Sequence, residues 1–302
     1  MTPIKLALDW TPNTNHTGFF VAQALGFYAE ANLGVTLIHP GQDDYRTTPA
    51  KKLELGEVDF AVTPSESVIS LHTKAQPLAV TAVAAILDRD ASAIVTLASG
   101  GVSRPAELDG SSYASYGARY EDPIVQEMIR RDGGRGDLTV TYPPKLGIWN
   151  TLINGDSDST WIFRPWEGVE AEAAGVELNA FVPSDYGVPY GYSPVIIARS
   201  ADLKREAYRS FIAATRRGFR YALEHPEDAV THLKPHVPPA DLAKLDLLKS
   251  QRAIGEYSAD AAHWGEMTAQ RWTAFTKWLQ DRGLLTEALE PTTLFTNDLL
   301  TG

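Results

Sequence analysis

The chain predicts an α/β fold of two lobes, each built on its own sheet and followed by a helical C-terminal wrap. Three observations carry this prediction. Strand and helix patterns alternate twice, over residues 4–62 and again over 93–198, and from residue 202 onward the pattern is helical. At 302 residues with 44% hydrophobic content, the chain has enough apolar material for two cores of ordinary domain size.

The first lobe opens with a short apolar strand at 4–8 and a helical run at 19–28. A strand at 35–38, a helix at 49–55 and a strand at 58–62 follow. Strand, helix, strand in this order implies parallel pairing through crossover helices. An apolar run at 78–87 ends at Asp88-Arg89-Asp90, and the crossing into the second lobe is placed near 88–93. That lobe is expected to hold strands at 93–97, 112–116, 138–142, 160–163 and 176–181, with helices at 123–131, 146–154 and 165–174, where proline at the first helical turn is well placed. The return crossing is placed near 186–196, before a strand at 195–198. Lobe I is thus residues 1–90 and 196–302, and lobe II is 91–195. Helices are expected at 204–225, 226–233, 239–250 and 260–282. Trp264, Met267, Trp272 and Trp278 recur in the last at near-helical spacing, which marks packing residues. Two such lobes joined by two crossings describe a hinged architecture that closes around a small ligand.

Composition excludes several classes of function. The formal charge of -11 without any Lys/Arg block argues against a nucleic-acid or anionic-membrane surface. Without cysteine there is no disulfide, thiolate nucleophile or thiolate metal site. No window approaches the ~18 apolar residues of a membrane span, and the N-terminus carries no basic-then-apolar leader. The expected location is the cytoplasm as the chain is written, and the periplasm or cell surface if a leader has been removed. The seven histidines are scattered, no carboxylates cluster at metal-ligand spacing, and no G-x-S-x-G elbow occurs, so neither a metal site nor a catalytic residue is assigned.

In open α/β sheets, ligands sit beyond the carboxyl ends of the strands. Two segments end there: Asp9-Trp10-Thr11-Pro12-Asn13-Thr14-Asn15-His16-Thr17-Gly18, and Thr63-Pro64-Ser65-Glu66-Ser67. Trp10 offers a flat aromatic face, and Asp9, Asn13, Asn15 and His16 offer donors and acceptors for a polar heterocycle. A capped turn with a core indole is the structural alternative. Ser65 and Glu66 suit ligand recognition or simple capping of the helix they open. In lobe II, Glu167 lies at a helix start after a strand that also carries Trp161. The segment Tyr116-Gly117-Ala118-Arg119-Tyr120 lies between a strand and a helix, where backbone N–H groups and Arg119 would cradle a phosphate or simply form a turn. Tyr186, Tyr190 and Tyr192 are candidate cleft aromatics from the return crossing, one of them expected in the core.

The run from Leu8 to Gly18, with Val21-Ala22 and Gly26-Phe27-Tyr28 after it, resembles the start of the thiamine-pyrimidine precursor family. That family comprises bacterial binding proteins for formylaminopyrimidine-type precursors and the fungal hydroxymethylpyrimidine phosphate synthase. Gly56-Glu57-Val58-Asp59-Phe60, Trp166-Glu167-Gly168-Val169-Glu170 and Asp185-Tyr186-Gly187-Val188-Pro189 continue the resemblance, which covers about residues 4–230. It implies a type II periplasmic-binding-protein-like fold. It also implies an aminopyrimidine ligand stacked on Trp10 and read by Glu66 or Glu167, serving uptake through an ABC permease or thiamine biosynthesis. The synthase carries pyridoxal phosphate on a lysine whose position matches Thr63, uses a histidine matching Ser67, and has a cysteine-rich run where this chain has residues 186–192. Pyridoxal phosphate is therefore disfavoured here, with His72 and Lys74 read as a solvated helix end, and no cofactor is assigned. The alternatives are a cytosolic enzyme of thiamine-pyrimidine metabolism and a binding protein for a flavin or other aromatic heterocycle.

Overall fold

Residues 1–145 and 147–301 are described by the computed structural model. They form two compact units: Met1–Asp90, Gly191–Thr276 and the stretch from Thr286 make the first, and Ala91–Tyr190 with Lys277–Leu285 make the second.

Unit 1 contains β1 (Thr2–Ala7), β2 (Leu33–Ile38), β3 (Phe60–Thr63) and β4 (Val80–Ala85). Unit 2 contains β5 (Ser92–Leu97), β6 (Ser111–Ala114), β7 (Leu138–Thr141), β8 (Ser159–Phe163) and β9 (Leu178–Phe181), and β10 (Val195–Arg199) returns to unit 1. The unit 1 sheet runs β2-β1-β3-β10-β4. Here β1 is parallel to β2 and β3, while β10 is antiparallel to both β3 and β4, so of the parallel or mixed sheets expected this one is mixed. Every residue of β3 and β4 is buried. Burial of β4, an edge strand by sheet order, has a cause: Ala82 pairs with Phe295 and Ala85 with Gly265, so the C-terminal tail covers the edge.

Helix Thr17–Ala24 packs on helix Glu206–Glu224, and the two meet at glycines. A Cβ on Gly218 would come 2.0 Å from the Gly18 carbonyl oxygen and 2.8 Å from the Ala22 Cβ. Glycine costs helix stability at such a position, about 1 kcal/mol relative to alanine, and here it permits the close approach of the two backbones.

Three of the helices that differ from the sequence reading do so for a reason legible in the local backbone. The run 19–28 breaks at Gly26, whose φ of 79° starts a second helix, Phe27–Glu30. The run 239–250 becomes Pro239–Leu242 and Leu247–Gly255, the latter capped by Asp246, whose carboxylate accepts the Lys249 N–H at 3.0 Å. Of 260–282 only Ala269–Asp281 is helical, because Gly265 takes φ 92° and its carbonyl accepts the Ala85 N–H at 2.9 Å. Trp264, Met267, Trp272 and Trp278 are nonetheless all buried.

The unit 2 sheet runs β7-β6-β8-β5-β9, with β6 parallel to β7 and β8, and β5 antiparallel to β8 and β9. Residues 277–285, grouped with lobe I from the sequence, belong to unit 2, where Arg282 pairs with Glu127 at 2.7 Å and lies over the Trp278 ring. Leu146, the first residue of one expected helix, lies outside the described residues, and that helix is Ile148–Ile153. Instead of an α-helix from Pro165, a π-helical turn at Arg164–Gly168 leads into a short helix, Val169–Ala173. Among the described residues no helix is long and apolar enough to cross a membrane.

Candidate functional site

Three loops of unit 1 leave the carboxyl ends of neighbouring parallel strands. Ala7 registers with both Ile38 and Ala61, so the segments after β1, β2 and β3 emerge side by side. The antiparallel β10 brings its leading residues to the same edge: Val195 registers with Thr63, and the Ser65 N–H donates to the Tyr192 carbonyl at 3.0 Å.

The first loop is tied together by its own polar groups. Asn13 caps the short turn Thr14–His16, its Oδ1 accepting the Asn15 N–H at 2.9 Å and its Nδ2 donating to the Thr11 carbonyl at 3.1 Å. His16, fully buried, accepts the Asn13 N–H on Nδ1 at 3.2 Å, which fixes its proton on Nε2. That nitrogen donates to Asp9 Oδ1 at 2.7 Å. Both imidazole nitrogens are thus spent inside the loop, which corrects the sequence reading of His16 as a ligand-reading group: it orients Asp9. Asn13 is likewise a turn builder. The loop is braced from below, Thr14 Oγ1 lying 2.8 Å from Ser250 Oγ and Thr17 donating to Gln251.

Buried oxygens on this edge lack such a partner: Asn15 Oδ1 and Ser65 Oγ, and on the loop after β2 Asp43 Oδ1 and Tyr45 Oη. Asn15 is 6% and Ser65 1% exposed. Ser65 does not cap its helix, whose N-cap is Pro64. Buried polar atoms are nearly always satisfied, so unsatisfied oxygens at the carboxyl edge of a sheet are candidates for a partner from outside. Glu66 is also buried, in the first turn of helix Ser65–Thr73. Gly191 lies against Ser65: a Cβ there would sit 2.7 Å from Ser65 Oγ.

Trp10 is half-buried, and its indole meets the Tyr45 ring edge-on with centroids 5.0 Å apart. Tyr45 belongs to the loop after β2 and was not read as a site residue. Burial raises its phenol above the ordinary tyrosine value. On the same loop, burial holds His39 below the usual histidine value.

In unit 2 the segment expected to cradle a phosphate is already filled. Glu121, 5% exposed, accepts the Tyr113 hydroxyl at 2.7 Å and the Tyr116 N–H at 2.9 Å on Oε1, and the Ala118 N–H at 3.2 Å on Oε2. The Gly117 N–H donates to Ser115 Oγ at 3.0 Å. These amides serve the chain's own side chains, which overturns the phosphate reading. Arg119 is exposed and stacks on Tyr120, its guanidinium carbon 5.0 Å from the ring centroid. Desolvation raises the Glu121 carboxyl above the ordinary glutamate range. Burial, then the Glu167 and Glu121 carboxylates, push the Tyr116 phenol well up.

Glu167 turns one oxygen back on its own backbone, accepting the Phe163 N–H at 2.9 Å. Trp161 on β8 packs edge-on against Tyr190, centroids 5.5 Å apart. The Tyr186 phenol is raised by burial and by Asp132 and Asp185. Tyr192 is core: 1% exposed, its hydroxyl accepts the Thr268 N–H at 2.9 Å.

Among relatives, the formylaminopyrimidine-binding protein of Halalkalibacterium halodurans is 25% identical, covering 91% of this chain and 84% of its own. A 4-amino-5-hydroxymethyl-2-methylpyrimidine phosphate synthase of Legionella pneumophila is 26% identical over 75% of this chain and 71% of its own. The riboflavin-binding protein RibY of Chloroflexus aurantiacus is 26% identical, covering 99% of this chain and 86% of its own. The solved ligand-binding component of an ABC-type import system from Staphylococcus aureus superposes with a TM-score of 0.73 at 14% identity, covering 99% of this chain and 98% of that one. Its fold, shared with further solved periplasmic binding proteins, is the periplasmic-binding-protein-like class expected from the sequence. Residues 13–229 match the family described as NMT1/THI5 like, and the chain belongs to that family.

Proposed function

We propose that the protein binds a thiamine-related aminopyrimidine at the carboxyl edge of the unit 1 sheet. The binding serves uptake or thiamine biosynthesis. One observation carries the reading: two buried side-chain oxygens without partners, Asn15 Oδ1 and Ser65 Oγ, share that edge with the half-buried indole of Trp10. An amide oxygen accepts from an exocyclic amino group, a serine hydroxyl donates to a ring nitrogen, and an indole stacks on the ring. Glu66 is a further reader of the amino edge. The formylaminopyrimidine-binding relative supports this ligand class. If the chain is exported, an ABC-type permease is its partner and the periplasm or cell surface its location.

Synthase-type chemistry has little support in the residues. Thr63 closes β3 where a lysine is required, donating to the Pro64 carbonyl at 3.1 Å. Lys74 Nζ lies 2.7 Å from Glu54 Oε1, and His72 Nε2 lies 2.7 Å from the Val80 carbonyl oxygen, so both have structural partners. A lysine-bound pyridoxal phosphate does not fit this donor set. A flavin ligand is the second reading, favoured by the riboflavin-binding relative that spans nearly the whole chain.

Titration calorimetry with formylaminopyrimidine and with riboflavin tests the proposal. Wild type binds the aminopyrimidine more tightly, and Trp10→Ala weakens it by about tenfold, since aromatic stacking is worth about 0.5–1.5 kcal/mol beyond area burial. Tighter riboflavin binding would replace the ligand class. Aminopyrimidine binding that Trp10→Ala leaves unchanged would refute the site.

A further inference from the structure

The loop after β2 holds its backbone in a conformation that L side chains avoid. Asp44 and Tyr45, consecutive and neither of them glycine, have φ of 53° and 60°. For a residue as bulky as tyrosine, the left-handed region crowds Cβ against the following carbonyl, and such strain survives only where surrounding contacts impose it.

Those contacts are present. The Asp44 and Tyr45 N–H groups both donate to the Pro40 carbonyl, the latter at 2.9 Å. Asp43 pairs with the buried Lys52, and that hydrogen bond holds its carboxyl below the ordinary aspartate range. Arg46 Nε donates to the Asp43 carbonyl at 2.9 Å. An ion pair and shared carbonyl bonds therefore fix a strained turn, and the side chain at its apex is the ring that meets Trp10 at 5.0 Å. Glycine would adopt this turn without strain. A tyrosine there costs the fold stability, and the return is an aromatic ring placed at the edge where Asn15 and Ser65 carry their unpartnered oxygens.

We propose that Tyr45 is a specificity-determining residue of the heterocycle site, set by the strained loop as a second aromatic wall beside Trp10. This rests on the ligand reading above. Trp10 and Tyr45 meet at an interplanar angle of 62°, which makes a corner rather than a flat platform. A corner suits a single six-membered ring and disfavours the extended tricycle of a flavin.

The test is Tyr45→Gly with Tyr45→Phe, measured for affinity toward formylaminopyrimidine and riboflavin and for thermal midpoint. Tyr45→Gly is expected to weaken the aminopyrimidine by at least tenfold, to move the ratio of the two affinities toward riboflavin, and to hold the midpoint because strain is released. Tyr45→Phe, which keeps the ring, stays within about threefold of wild type. If Tyr45→Gly binds both ligands as wild type does, or weakens both equally, Tyr45 is a packing residue and the proposal falls. A wild type that binds neither ligand refutes the proposed function itself, a result distinguishable from failure at Tyr45.

Discussion

Residues 9–16 in unit 1 and 115–121 in unit 2 are both loops that leave a parallel strand and run into a helix, each rich in backbone amides and short of regular structure. Their polar groups are settled in opposite ways. Around Glu121 a buried carboxylate takes up the Tyr113 hydroxyl and the Tyr116 and Ala118 amides, and Ser115 takes up Gly117. Around His16 the loop is equally well tied, through Asp9, Asn13 and Thr14, yet Asn15 Oδ1 and Ser65 Oγ beside it are buried without partners. A polar loop that satisfies itself is architecture. One that is rigid and still leaves buried oxygens unmatched is the one we propose meets something outside the chain.

This difference predicts opposite outcomes for removing a polar group. Glu121→Ala strands three donors, and at roughly 1 kcal/mol or more for each it should destabilise the protein by about 3 kcal/mol. Thermal denaturation or urea unfolding measures the loss; a variant as stable as wild type would show that water replaces the carboxylate and that the loop is less closed than it looks. Asn15→Ala and Ser65→Ala remove oxygens that accept or donate nothing within the chain, so stability should hold within about 0.5 kcal/mol. Aminopyrimidine binding should instead weaken by roughly 5- to 150-fold, the equivalent of the 1–3 kcal/mol forfeited at a lost buried hydrogen bond. Loss of stability with binding intact would reverse the assignment.

What the sequence allowed to be read tracks how local each cause is. Strand positions followed from apolar runs, and the loop at 9–18 stood out because an indole, a carboxylate, two amides and an imidazole sit together in ten residues. The antiparallel entry of β10 between β3 and β4 was not legible, because strand direction in the sheet is a tertiary choice. Glu121 looked like an ordinary first-turn acid. Only the fold turns its carboxylate back onto Tyr116 and Ala118, although a glutamate five residues after the start of a glycine-containing turn was a usable hint. Tyr45 gave no signal, since a left-handed Asp-Tyr pair contains no glycine or asparagine to announce it. His16 misled because composition shows which groups are present and never which are already engaged.

The smallest expected effect concerns protonation of the closed loop. Desolvation raises the folded-state pKa of Glu121 above its unfolded value, so the contribution of this group is fully present below the ordinary glutamate range of about 4.3 and is lost as pH rises through the raised folded value. Glu121→Gln keeps an acceptor oxygen and cannot ionise. Unfolding free energies of wild type and Glu121→Gln at pH 4, 5, 6 and 7 should therefore diverge in one direction. Wild type declines relative to the variant as pH rises from about 4, by at most about 1.4 kcal/mol per unit, and the gap becomes constant once the carboxyl is ionised in both states. Most other titrating groups are common to the two proteins and cancel in the difference. A gap independent of pH would mean that the Tyr113, Tyr116 and Ala118 donors offset desolvation, and one in which wild type gains would mean that they outweigh it. In the second case the loop would stabilise the Glu121 anion relative to the unfolded chain.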